Sequence, residues 1–183
     1  MHFRGIYVTF ALEIEKKEGA IAPFLLNYRM DKQTVDTLLQ DKLEELNLFL
    51  VELNISVDHV ITIYADGMEN ITVEQCTAIA RHLRNELGEV ADEYEITVSS
   101  PGLDKPFRHK NQYVKNIGKS IEVITNDGNK IEGKMNAASD EEIIINVFKK
   151  RNPKNKALKP EVSDQLVSIA IKDIKQTKKL III

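Results

Sequence analysis

Tyr94-Glu95-Ile96-Thr97-Val98 alternates apolar and polar residues and runs straight into Ser99-Ser100-Pro101-Gly102-Leu103-Asp104-Lys105-Pro106-Phe107. The alternation predicts a half-buried strand. Two prolines and a glycine then permit neither a strand ladder nor a helix to continue, so the chain must turn there. Everything before this turn mixes helical and strand periodicity, and everything after it is strand-like. The turn therefore divides the chain into two architectures.

Upstream, Val35, Leu38, Leu39, Leu43 and Leu46 recur on a 3.6-residue period, with Asp36, Gln40, Asp41, Glu44 and Glu45 on the opposite face. This predicts a helix. Leu48–Ile55 and Val60–Tyr64 then read as antiparallel strands, closed by a turn at Asp66-Gly67. Thr72 and Gln75 form a T-x-x-Q capping box ahead of a stripe of Val73, Cys76, Ile79, Ala80, Leu83 and Leu87, with Gly88 as the stop. The order αββαβ predicts two helices on one face of a three-stranded sheet.

Downstream, the chain is irregular and basic to about Ile117. Strands follow at Ser120–Thr125, Lys130–Met135, Glu142–Phe148, Leu166–Ile171 and Lys178–Ile183, with a hairpin turn at Asn126-Asp127-Gly128-Asn129. Five short strands without a helical pattern predict a small all-β barrel of the Sm-like or SH3-like kind, with Gly133 allowing a sharp bend. The fold class is thus α+β with two domains. The expected boundaries are 30–100 for the first domain, 101–118 for the junction and 119–183 for the barrel.

Residues 1–29 read as an upstream extension outside the core. Ile6–Leu12 is apolar, but Glu13, Glu15, Lys16, Lys17 and Glu18 interrupt what a secretory signal would keep apolar. Met30 reads as the start of the first domain.

The chain has 183 residues, 43% hydrophobic and 29% charged, which are ordinary globular values. One cysteine excludes a disulfide framework and a cysteine-rich zinc module. No run of apolar residues is long enough to span a membrane as a helix. The net charge of −3 hides an asymmetry: residues 1–100 carry 8 basic and 18 acidic side chains, and residues 101–183 carry 17 and 10. The second half suits polyanions and the first half basic surfaces.

Catalytic motifs are missing. Gly118-Lys119-Ser120 looks like the end of a P-loop, but the glycine that motif needs is Tyr113 here. His2, His59, His82 and His109 have no ligand-like spacing, and Cys76 lies on an apolar stripe as a small core residue. No enzyme, metal or cofactor is expected. Two features remain. The turn at Ser99, Ser100, Pro101, Gly102, Asp104, Lys105 and Pro106 is stiff and exposed. Lys149, Lys150, Arg151, Lys154, Lys156 and Lys159 form a run of six positive charges without an acid. Such a run would contact RNA through phosphates, because it lacks aromatic stacking platforms.

On Val98-Ser99-Ser100-Pro101-Gly102-Leu103-Asp104-Lys105-Pro106-Phe107 the sequence resembles the bacterial ribosome maturation factor RimP family, close to its S-S-P-G-x-D-R-P-L junction. The resemblance spans Met30 to Ile183. It extends to the cysteine of the second helix, to Tyr113–Gly118 and to Asp173–Lys178. Lys105 stands where arginine is commoner, keeping the charge but losing the bidentate fork. The resemblance implies the same two-part fold and a non-catalytic, cytoplasmic, monomeric assembly factor. Its implied partners are the immature small (30S) ribosomal subunit, its rRNA and a basic small-subunit ribosomal protein, with no membrane. The other reading is an Sm-like RNA-binding regulator unconnected with ribosome assembly.

Overall fold

The computed structural model describes residues 30–149 and 161–181. The first part begins with helix α1 (Lys32–Glu45), whose Val35, Leu39 and Leu43 are buried at the predicted spacing. Strands β1 (Leu48–Ile55) and β2 (Val60–Gly67) pair antiparallel, with Leu53 opposite Ile63. Asp66-Gly67 is not the expected turn. Both residues stay in the ladder, paired with Phe49 and Leu48, and both are buried. The Asp-Gly pair is a local turn signal, and tertiary pairing overrides it.

Helix α2 (Val73–Leu87) carries the capping box as read: the Gln75 N–H donates to Thr72 Oγ1, and the Thr72 N–H donates to Gln75 Oε1. Gly88 ends it at φ 57°, a conformation that costs other residues about 1 kcal/mol or more. Ile79 and Leu83 are buried, whereas Val73, in the first turn, is 78% exposed and Cys76 only half-buried. A 3₁₀ turn (Gly88–Glu93) leads into β3 (Glu95–Ser99), which lies parallel to β2. A parallel pair needs a long crossover, and α2 supplies it. The sheet order β1-β2-β3 makes β2 the central strand, so its Ile61, Ile63 and Ala65 are fully buried.

The stretch expected to be irregular contains a short helix, α3 (Lys110–Lys115). It has its own capping box: His109 Nδ1 accepts from the Asn111 N–H, and Gln112 Oε1 accepts from the His109 N–H. An H-x-x-Q box is a weaker sequence signal than T-x-x-Q, since histidine is a rare cap.

The second part is one antiparallel sheet of β4 (Ser120–Thr125), β5 (Lys130–Ala138), β6 (Glu142–Phe148), β7 (Val162–Ala170) and β8 (Ile174–Lys179), in the order β7-β6-β5-β4-β8. Its five strands complete the expected α+β layout. Among the described residues the ladder ends at β7 and β8. Ile121, Val123, Met135, Ile143, Ile145 and Ile169 form its core, at the period of two that puts alternate side chains on one face. Burying each large aliphatic side chain contributes about 1.5–3 kcal/mol. Gly133 is required by crowding: a Cβ there would fall on the Asn146 carbonyl oxygen and Ile145 Cγ2 of β6.

The last two strands both start earlier than expected, at Val162 and Ile174. The apolar run Leu180–Ile183 favours a later final strand in sequence. The ladder is instead made by the lysine-rich stretch before it, where Thr177 is buried opposite Val123. Ile182 and Ile183 lie outside the described residues, as do residues 1–29 and 150–160.

Candidate functional site

The seam between the two sheets is built by the junction and α3. Ser99 ends β3 opposite Tyr64, and its hydroxyl donates to the Ser100 carbonyl at 3.2 Å. Pro101 and Pro106 are half-buried, and Ser100, Gly102, Asp104 and Lys105 are exposed. The Lys105 N–H donates to the Gly102 carbonyl at 3.1 Å, which closes a tight turn. Gly102 does not hold a positive φ. A Cβ there would stand 2.8 Å from Asp104 Oδ1, the end of an exposed side chain that can swing aside. The Lys105 ammonium lies 5.2 Å from the centre of the Tyr64 ring on β2, a cation–π distance.

Beyond the turn the chain joins the second sheet. The Phe107 N–H donates to the Thr177 carbonyl of β8 at 2.7 Å, and the Phe107 ring meets Tyr113 edge-on at 5.2 Å. Both aromatics pack on the core of that sheet. His109 faces the other way and stacks on Phe49 of β1, with ring centres 4.6 Å apart. Burial, and then the neighbouring Lys110, hold the imidazole below its ordinary pKa. The neutral ring is also the form whose Nδ1 can accept the capping bond.

The strongest link is ionic. Lys115 Nζ donates to Asp66 Oδ1 at 2.6 Å and to the Glu69 carbonyl at 2.8 Å. The two side chains are only 5% and 12% exposed. Asp66 Oδ1 also accepts from the Gly67 N–H. Sequence alone does not single out Asp66, Lys115, His109 or Phe49. The His109/Gln112 spacing could have indicated α3, but nothing local indicates the partnership of residues 66 and 115.

Two further surfaces bear on binding. A cavity of about 570 Å³ lies beside α1 and β1. Leu43, Leu48, Phe49, Leu50 and Met68 supply its apolar lining, and Asp36 and Glu44 make it acidic. On the second sheet, Lys130 and Lys178 both bond Glu122, at 2.8 and 3.3 Å, and together they hold its carboxyl below the usual range. Of the six basic-run residues, only Lys149 is described. It is exposed and pairs with Glu161 at 3.0 Å across the start of β7. Lys150, Arg151, Lys154, Lys156 and Lys159 lie outside the described residues.

Comparison with known proteins fits this geometry. The RimP N-terminal domain family matches residues 38–104, from within α1 to the Asp104 turn. A ribosome maturation factor RimP of Christiangramia forsetii is 33% identical over 126 residues, covering 68% of this chain and 81% of that protein. The chain belongs to the RimP family. The factor of Porphyromonas gingivalis is 27% identical over 153 residues, 83% of this chain and 99% of its own length. The factor of Flavobacterium psychrophilum is 33% identical over 124 residues, covering 67% and 79%. The match to the family's N-terminal domain takes in most of the junction turn but stops before α3, so Phe49 and Asp66 lie inside it and their partners His109 and Lys115 outside.

Proposed function

We propose that this chain is a maturation factor of the small (30S) ribosomal subunit, acting by binding and release without catalysis. Membership of the RimP family carries this reading, because relatives aligned along most of the chain are ribosome maturation factors. Its partners are immature small-subunit rRNA and a basic small-subunit ribosomal protein, met by a monomer in the cytoplasm. The charge asymmetry supports the division of labour. The acidic first part, with its apolar cavity edged by Asp36 and Glu44, suits a basic protein segment. The basic second part suits RNA, with Lys149, Lys150, Arg151, Lys154, Lys156 and Lys159 as phosphate contacts. Ser99, Ser100, Pro101, Gly102, Asp104, Lys105 and Pro106 serve this function by fixing the path of the chain from one sheet to the other.

Sucrose-gradient profiling of a strain lacking this protein tests the reading. The expected profile shows excess free subunits and unprocessed small-subunit rRNA, both corrected by the full chain. A normal profile overturns it. Size-exclusion chromatography addresses the Sm-like regulator: a six- or seven-membered ring would favour that reading, and a monomer the maturation factor.

A further inference from the structure

The second sheet neutralises several of its lysines internally. Lys130 and Lys178 share Glu122, Lys130 also bonds Glu132, Lys110 meets Asp140 and Lys149 meets Glu161. Lys119 and Lys179 differ. Among the described residues neither has a carboxylate within ion-pair distance, although Lys179 is half-buried.

Their placement follows from the ladder. Lys179 stands directly opposite Ile121, a fully buried core residue, so its side chain leaves the sheet on the core-facing side. Lys119 precedes Ile121 by two residues, and its backbone is held by bonds to Asn116 and Met135. Gly118, at φ 80°, turns the chain out of α3 immediately before it. The same end of the sheet therefore faces α3, where Lys115 sits on Asp66. The ammonium of Lys179 is held below the usual lysine range by burial first, then by Lys119 and Lys115, with Asp66 opposing. Three ammonium groups thus act around one carboxylate, and that carboxylate is already taken by Lys115 and the Gly67 N–H.

Lys119 is exposed and Lys179 half-buried, and an excess of about two positive charges gathered here is unfavourable in the free protein. It is also a focused field for an anion. The groups are point-charge donors with no arginine fork among them, so they suit a diester phosphate better than bidentate capture of a carboxylate. We propose that Lys119 and Lys179, backed by the Lys115–Asp66 pair, form a subsite for backbone phosphates of RNA, separate from the basic run at 149–159. This rests on the reading of the chain as a factor that acts on ribosomal RNA.

The test uses the full chain, a fluorescent oligouridylate and a poly-glutamate of similar length. Two single-strand phosphate contacts should contribute about 1.4 to the salt slope, so Lys119→Gln/Lys179→Gln should bind the oligouridylate about 25-fold more weakly near 0.1 M salt. Lys172→Gln/Lys175→Gln, removing two exposed lysines from the turn before β8 and from β8 itself, should change affinity by less. Lys119→Arg/Lys179→Arg should keep the wild-type slope, which separates lost charge from lost folding. An unchanged slope in the double Gln variant overturns the subsite while leaving the proposed function standing. A wild-type chain that binds neither oligouridylate nor small subunits overturns that function instead. Equal loss of poly-glutamate binding overturns the RNA assignment in favour of an acidic peptide.

Discussion

Replacing Lys115 by Met would retain the packing of its aliphatic stem while removing its charge. Asp66 would then keep a carboxylate that is 12% exposed, hydrogen-bonded only by the Gly67 N–H and with no cation in direct contact. Removing one partner of a buried ion pair costs about 3–5 kcal/mol, because the stranded charge has lost both its water and its counter-ion. The pair is not wholly sealed, so the lower end applies, about 3 kcal/mol. For a chain of this size that corresponds to a melting point lower by about 6–12 °C. Asp66→Asn instead leaves the ammonium without a counter-charge, with the Glu69 carbonyl and the introduced amide oxygen as acceptors, and should cost about 2–3 kcal/mol. The double variant Asp66→Asn/Lys115→Met strands neither charge, and the introduced amide oxygen can still accept from the Gly67 N–H. It should lose only about 1 kcal/mol, because an uncharged pair avoids the desolvation cost. Urea and thermal melts of the four proteins form a double-mutant cycle. If the single losses simply add in the double variant, the two side chains are not coupled and the ionic link does not hold the seam.

Other outcomes follow from particular contacts. Gly133→Ala should lower stability by about 1–3 kcal/mol through overpacking against the β6 backbone, and an unchanged melting point would show that the strands can part there. His109 has its folded-state pKa below the unfolded value of about 6.5, so the folded chain binds fewer protons just below that pH. Stability from the neutral ring is therefore complete above about pH 6.5 and declines as pH falls toward the folded pKa. His109→Gln should flatten that decline, and identical wild-type and variant slopes would show that burial and Lys110 do not hold the ring neutral. Cys76 is half-buried with its thiol pushed up by burial, so alkylation should be several-fold slower in the native chain than in denaturant. Equal rates would show that α2 does not shield it.

What can be read from sequence is what neighbours dictate. Helix α2 is legible because Thr72, Gln75 and Gly88 each answer a local backbone need. The Asp127-Gly128 hairpin is legible because Gly128 supplies the positive φ that such a turn demands. The alternation Ile121-Glu122-Val123 of β4 marks its core face directly. Sequence misplaces the final strand because an apolar run outweighs a lysine-rich one, although an edge strand is set by its ladder and tolerates lysine well. Gly102, in the proline-flanked turn, has no positive φ, and only the movable end of the Asp104 side chain stands where a Cβ would go.

The seam is invisible in sequence for a different reason. Asp66 and Lys115 are 49 positions apart, and Phe49 and His109 are 60 apart. Periodicity and spacing report only on residues that share an element, so neither pair leaves a local trace. Phe107 and Tyr113 belong to the core of the second sheet, while Lys105, His109 and Lys115 reach back to Tyr64, Phe49 and Asp66 of the first. The segment that reads as a connector is therefore packed on both sides, and bending it would break a stacked pair and a buried ion pair together. The proposed division of labour, an acidic groove for a protein and a lysine cluster for RNA, would gain from such a joint, because two surfaces held at one fixed geometry leave little ordering entropy to be lost on binding.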